Sequence, residues 1–130
     1  MSSDRLSNLT IVVVDDHNDL RRYLGVFLSH LGANVTLAAN AIEGLEAVKT
    51  YRPNLVLSDI SMPGRDGFGL LCDIRALGPD AGGSVSVIAM TALGTHVDRE
   101  RILTAGFKAF LPKPFSPETL LKAILAVVNE

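Results

Sequence analysis

NLVLSDISMPGRDG, residues 54–67, decides the fold. NLVLS is a short apolar run, of strand length and too short for a helix, and it ends abruptly in Asp59 and a Met-Pro-Gly loop. Continuous rather than alternating hydrophobicity suits a strand covered on both faces, as in a parallel sheet. A carboxylate at the end of such a strand either caps the next element or performs chemistry.

The same grammar repeats on either side. LTIVVV (9–14) is a β-branched strand closed by Asp15-Asp16, and DLRRYLGVFLSHLG (19–32) places Leu20, Leu24, Phe27, Leu28 and Leu31 at helical spacing, with Gly32 as its stop. NVTLA, VSVIAM and KAFL are predicted strands. AIEGLEAVKTY, GFGLLCDIRAL, HVDRERILTAG (stopped by Gly106) and SPETLLKAILAVV are predicted helices. Ser116 is the predicted N-cap of the last helix, with Pro117 at its first position. GPDAGGS, before the fourth strand, reads as a flexible connection. Five βα units in 130 residues predict one α/β domain with a doubly wound parallel sheet. The expected winding is flavodoxin-like, with strand order 2-1-3-4-5. The domain is expected over 9–130, after a flexible segment at 1–8.

Composition narrows the classes. Hydrophobic residues make up 48% and charged ones 20%, the balance of an ordinary globular chain, and the formal net charge of −2 offers no basic field for nucleic acid or anionic membrane. The longest apolar runs, such as IVVV, are too short to span a bilayer, and MSSDRLSN has no signal-peptide pattern. One cysteine, Cys72, excludes an internal disulfide and fits a reducing, cytoplasmic setting. Its place in FGLLCDI reads as a small packed residue.

In a parallel sheet wound this way, ligands sit at the carboxyl ends of the strands. Those ends carry Asp15 and Asp16, Asp59, Thr91 and Lys113. At an effective dielectric of about 20, two like charges about 4 Å apart repel by roughly 4 kcal/mol, so such a cluster should hold protons unusually well or recruit a cation. Hard oxygen ligands without paired histidines or cysteines favour Mg²⁺ over zinc. A metal, a lysine and a hydroxyl together neutralise a phosphoryl group in transfer, and the central Asp59 is then the nucleophile that becomes an aspartyl phosphate. Singly, each residue has an ordinary reading as a turn, a cap or a solvated lysine. Four strand ends carrying complementary groups are what point to chemistry.

VVVDDH, SDISMPGRDG, MTA and KAFLPKPF together resemble the receiver domain of two-component response regulators, from Leu9 to Val128. The resemblance implies phosphoryl transfer to Asp59 from a phosphohistidine on a histidine kinase or phosphotransfer protein. It implies Mg²⁺ held by Asp16, Asp59 and the backbone carbonyl of Ser61, with Asp15 acting through a coordinated water. Thr91, the N–H of Ala92 and Lys113 would hold the phosphoryl oxygens, and the Lys113-Pro114 bond would be cis. Thr91 would move inward on phosphorylation and Phe110 would follow it. Phe110 lacks the hydroxyl of the family's usual tyrosine. Ser61 and Leu93 occupy positions that tune phosphoryl lifetime. Helix four, strand five and helix five would face a downstream protein or output domain, and helix one with the loop at Phe115 would face the kinase.

The domain is thus expected to be no enzyme beyond its own phosphorylation and dephosphorylation. Two alternatives are a Mg²⁺-dependent aspartyl-phosphate phosphatase and an unphosphorylated interaction module. The first needs a second acid two residues after the nucleophile, and Asn18 and Ser61 stand there instead. The second would lack the aspartate or the lysine. His17 is expected as a surface residue at a helix start, His30 beside a helix C-terminus, His96 as exposed, and Arg99-Glu100-Arg101 as a solvated face.

Overall fold

The computed structural model describes residues 5–92 and 96–129, with residues 96–98 described by their backbone alone. Five strands, β1 (Thr10–Val14), β2 (Asn34–Ala38), β3 (Leu55–Asp59), β4 (Ser86–Thr91) and β5 (Ala109–Pro112), alternate with α1 (Asn18–His30), α2 (Ala41–Tyr51), α3 (Gly67–Arg75), α4 (His96–Ala105) and α5 (Pro117–Val128). All strand pairs are parallel, in the order β2-β1-β3-β4-β5. The expected fold is the observed one.

Successive strand residues point to opposite faces, and each face has its own apolar layer. Ile11, Val13, Leu55, Leu57, Ile88 and Met90 pack with Leu24 and Leu28 of α1 and with Leu120 and Ile124 of α5. Val12, Val14, Val56, Val87 and Ala89 pack with α2, α3 and α4 through Val48, Leu70, Ile74 and Ile102. Burial on both sides accounts for the unbroken β-branched runs. The strands are therefore rigid, and what they carry at their ends is held to a fixed separation.

Gly32 and Gly106, the predicted helix stops, have φ of 100° and 114°. Ser116 caps α5 by accepting from the N–H of Thr119 at 3.1 Å. Three expectations are corrected. Residues 5–8 are not a free segment: Leu6 is fully buried, and its N–H donates to the Leu31 carbonyl at 2.8 Å. Residues 1–4 lie outside the described residues. The glycine-rich connection is a pinned turn, a single 3₁₀ turn at Pro79–Ala81, because Arg75 Nη1 donates to the carbonyls of Gly83 and Val85 at 2.9 and 2.7 Å. Cys72 is exposed, since α3 buries Gly67, Leu70, Leu71 and Ile74 and turns residue 72 outward.

The loop after β3 closes tightly. Gly67 N–H donates to the Ile60 carbonyl at 2.8 Å, and Asp66 caps α3 by accepting from Gly69 N–H at 2.9 Å. A Cβ on residue 67 would sit 2.5 Å from the Asp59 carbonyl oxygen and 2.9 Å from Ile60 Cα. Both obstacles are backbone. Gly67→Ala should therefore lower stability by about 1–3 kcal/mol, seen as a lower urea midpoint with unchanged slope. An unshifted midpoint would show that the loop has slack.

Candidate functional site

Ladder hydrogen bonds carry each functional residue to the same edge. Asp15 N–H donates to the Ala38 carbonyl at 3.1 Å, extending β1 by one residue. Asp59 is the last residue of β3 and pairs with Met90; Ile60 N–H donates to the Met90 carbonyl at 3.0 Å. Thr91 ends β4, and its carbonyl accepts from Lys113 N–H at 2.7 Å, which places Lys113 just beyond β5. The Lys113-Pro114 bond is cis.

The side chains converge. Lys113 Nζ donates to Asp15 Oδ2 at 3.0 Å and lies 3.4 Å from Asp59 Oδ1. Asp15 is fully buried, Asp59 is 4% exposed and Thr91 1%. One ligand atom from each of Asp15, Asp16, His17 and Asp59 falls within 4.8 Å of the others. Three acids against one ammonium leave the cluster negative. Burial, above all, raises the Asp59 carboxyl to a pKa of about 6; the charge of Asp15 adds to this, Lys113 pulls against it, and a hydrogen bond with Asp16 raises it further. Asp16 Oδ1 is buried with no hydrogen-bond partner among the described residues. An orphaned carboxylate oxygen inside an acidic, oxygen-lined cluster fits a hard divalent cation.

The other sequence-predicted residues fall around this centre. Ser61 lies exposed in the loop that follows Asp59, and Ala92 lies exposed just beyond Thr91. Phe110 is half-buried on the α4 side of the sheet, with the Arg99 guanidinium 5.1 Å above its ring. Arg101 covers Phe68 in the same manner at 4.2 Å, so the charged run of α4 also caps two aromatic rings. His30 stands in the last turn of α1. Leu93 and the His96 side chain lie outside what is described.

Sequence reasoning gave no role to Arg21. Its Nη1 donates to the Asp15 carbonyl at 2.7 Å and its Nη2 to Asn18 Oδ1 at 2.6 Å, fastening the acidic turn to α1. Only the helical spacing of Asn18 and Arg21 hints at it. Ser58 is buried and donates through Oγ to the Asp59 carbonyl at 3.0 Å. Arg65 forks onto Asp73 at 2.6 and 3.0 Å, tying the loop after β3 to α3.

The family model described as the response regulator receiver domain matches residues 11–125. An uncharacterised 14.6 kDa protein of Leptolyngbya boryana is 39% identical over 92% of this chain and 89% of its own length. A probable transcriptional regulator, ycf27, of Cyanophora paradoxa is 38% identical over 92% of this chain but 48% of its own length, so the chain spans about half of that relative. Among solved structures, the receiver domain of the sensor histidine kinase PA1611 from Pseudomonas aeruginosa superposes with a TM-score of 0.84 at 30% identity, covering 95% of this chain and all of that one. That structure has a magnesium ion coordinated in its active-site cleft.

A carboxyl that keeps its proton to about pH 6 must surrender it before a cation binds. Magnesium affinity should thus rise roughly tenfold per pH unit below about pH 6 and level off above it. Calorimetric titrations across this range provide the check. A pH-independent affinity would place the ion elsewhere.

Proposed function

Given that the chain belongs to the response regulator receiver domain family, we propose that Asp59 is its phosphoacceptor and that the acid cluster is its magnesium site. The observation that carries this reading is the joint placement of Asp15, Asp16, Asp59 and Lys113 at one sheet edge, with the central carboxylate buried and under electrostatic stress.

An Asp59 carboxylate oxygen attacks the phosphorus of a phosphohistidine. The P–N bond breaks, its electron pair returns to the imidazole, which takes a proton from solvent, and an acyl phosphate remains on Asp59. Lys113 already lies 3.4 Å from Asp59, so its ammonium is poised to leave Asp15 in part and pair with a phosphoryl oxygen. Thr91 and the Ala92 N–H, at the adjacent strand end, supply the remaining donors. Asp16, Asp59 and the Ser61 carbonyl would hold magnesium, with Asp15 behind a water; the ion supplies charge neutralisation for the incoming phosphoryl oxygens. The chain thereby acts on itself, adding and losing its own phosphoryl group, and turns over no separate substrate.

The switch is the one the resemblance implies, through Thr91 and Phe110. Thr91 drawn toward the phosphate vacates space beside β5, and Phe110 turns into it, altering the face formed by α4, β5 and α5. That face would meet a downstream protein or an output domain. Leu20 and Tyr23 of α1 line a pocket with Lys113, Pro114 and Phe115, beside the site, where a histidine kinase or phosphotransfer protein would dock. No helix among the described residues is long and apolar enough to cross a membrane, and with the lone cysteine this supports a cytoplasmic setting.

Incubation with acetyl phosphate and Mg²⁺ should add the mass of one phosphoryl group, labile to hydroxylamine, and Asp59→Asn should abolish the gain. Lys113→Ala should keep magnesium binding and lose the phosphorylation-dependent change at α4 and β5, followed by NMR shifts. No mass gain in the wild type would overturn the phosphoacceptor reading in favour of an unphosphorylated interaction module.

A further inference from the structure

His17 belongs to the geometry of the cluster although nothing in the proposed phosphoryl chemistry uses it. Its Nδ1 lies 3.7 Å from Asp15 Oδ1 and 3.9 Å from Asp16 Oδ1, the buried oxygen that has no hydrogen-bond partner among the described residues. A first-row metal about 2.1 Å from nitrogen and oxygen donors keeps neighbouring ligand atoms roughly 3–4 Å apart. The imidazole already stands at that separation from both aspartates. Its backbone is fixed, because His17 N–H donates to Asp15 Oδ1 at 2.9 Å. Its ring is 73% exposed, so turning toward an ion costs little desolvation.

We propose that His17 is a metal ligand that widens this site's selectivity toward divalent transition ions that favour imidazole, Co²⁺, Ni²⁺ and Zn²⁺, over Mg²⁺. The proposal rests on the acid cluster being the magnesium site. Carboxylates alone suit hard cations, and magnesium keeps water where an imidazole would bind. One nitrogen donor added to the carboxylate and carbonyl oxygens of Asp16, Asp59 and Ser61 gives a mixed set in which the later first-row ions gain a bond that magnesium does not seek. The residue after the acidic pair thus becomes a selectivity determinant, placed by its position as the N-cap residue of α1.

The test compares calorimetric titrations of the whole chain with MgCl₂ and CoCl₂ for wild type, His17→Asn and His30→Asn. Asparagine is a favoured N-cap residue, so α1 is preserved. His17→Asn should weaken Co²⁺ binding by about tenfold or more, change Mg²⁺ affinity by less than about twofold, and alter the visible absorption of bound Co²⁺. His30→Asn should do none of these. Equal Co²⁺ affinity and an identical spectrum in wild type and His17→Asn, with Mg²⁺ still bound, would overturn the role of His17 and leave the magnesium site standing. A His30→Asn effect matching that of His17→Asn would overturn it as well. A wild type that binds neither ion would sink both.

Discussion

Three carboxylates and one ammonium, held at the carboxyl edge of a rigid sheet, are the constraint on which the molecule turns. Asp15 and Asp59 cannot relieve their repulsion by swinging into water, because both are buried and both belong to, or adjoin, strands packed on two sides. Proximity of this kind is worth kilocalories per pair even with generous screening. The fold tolerates it because the two apolar layers are continuous and because Lys113 bridges two of the acids. What remains uncompensated is met by a proton on Asp59 or by a cation.

The same stress makes the edge responsive. Lys113 is shared between Asp15 and Asp59, Asp16 has an oxygen unsatisfied among the described residues, and Asp59 holds a proton that, in the proposed site, a metal would displace. In the proposed switch, one phosphoryl group would recruit all of these together, and Thr91 with Phe110 would carry the change toward α4. Phe110 lacks a hydroxyl, and the structure gives its ring a different polar contact, the guanidinium of Arg99 on the α4 side.

The fold was legible because alternation of apolar strands and amphipathic helices leaves few parallel windings, and the acidic, hydroxyl and lysine positions were legible because strand ends in such a winding must meet. Long side chains escaped. Arg21 and Arg75 secure backbone carbonyls six to ten residues away, and guanidinium reach leaves no periodic mark in a sequence. FGLLCDI is apolar on too many sides to reveal that α3 turns Cys72 outward. The burial of Leu6 leaves no mark in the sequence, because Ser7, Asn8 and Leu9 separate it from β1 and it depends on the end of α1, far along the chain.

The most direct measurement is thermal unfolding at about pH 7.5 of the wild type and Asp59→Asn, each with and without magnesium. Asp59 has a raised pKa, so its ionised form, dominant at this pH, works against the folded state. The asparagine variant should melt about 5 °C or more above the wild type without metal, and magnesium should raise the wild-type midpoint while barely moving the variant. A variant that melts lower than the wild type without metal, with an equal magnesium response in both proteins, would contradict both expectations.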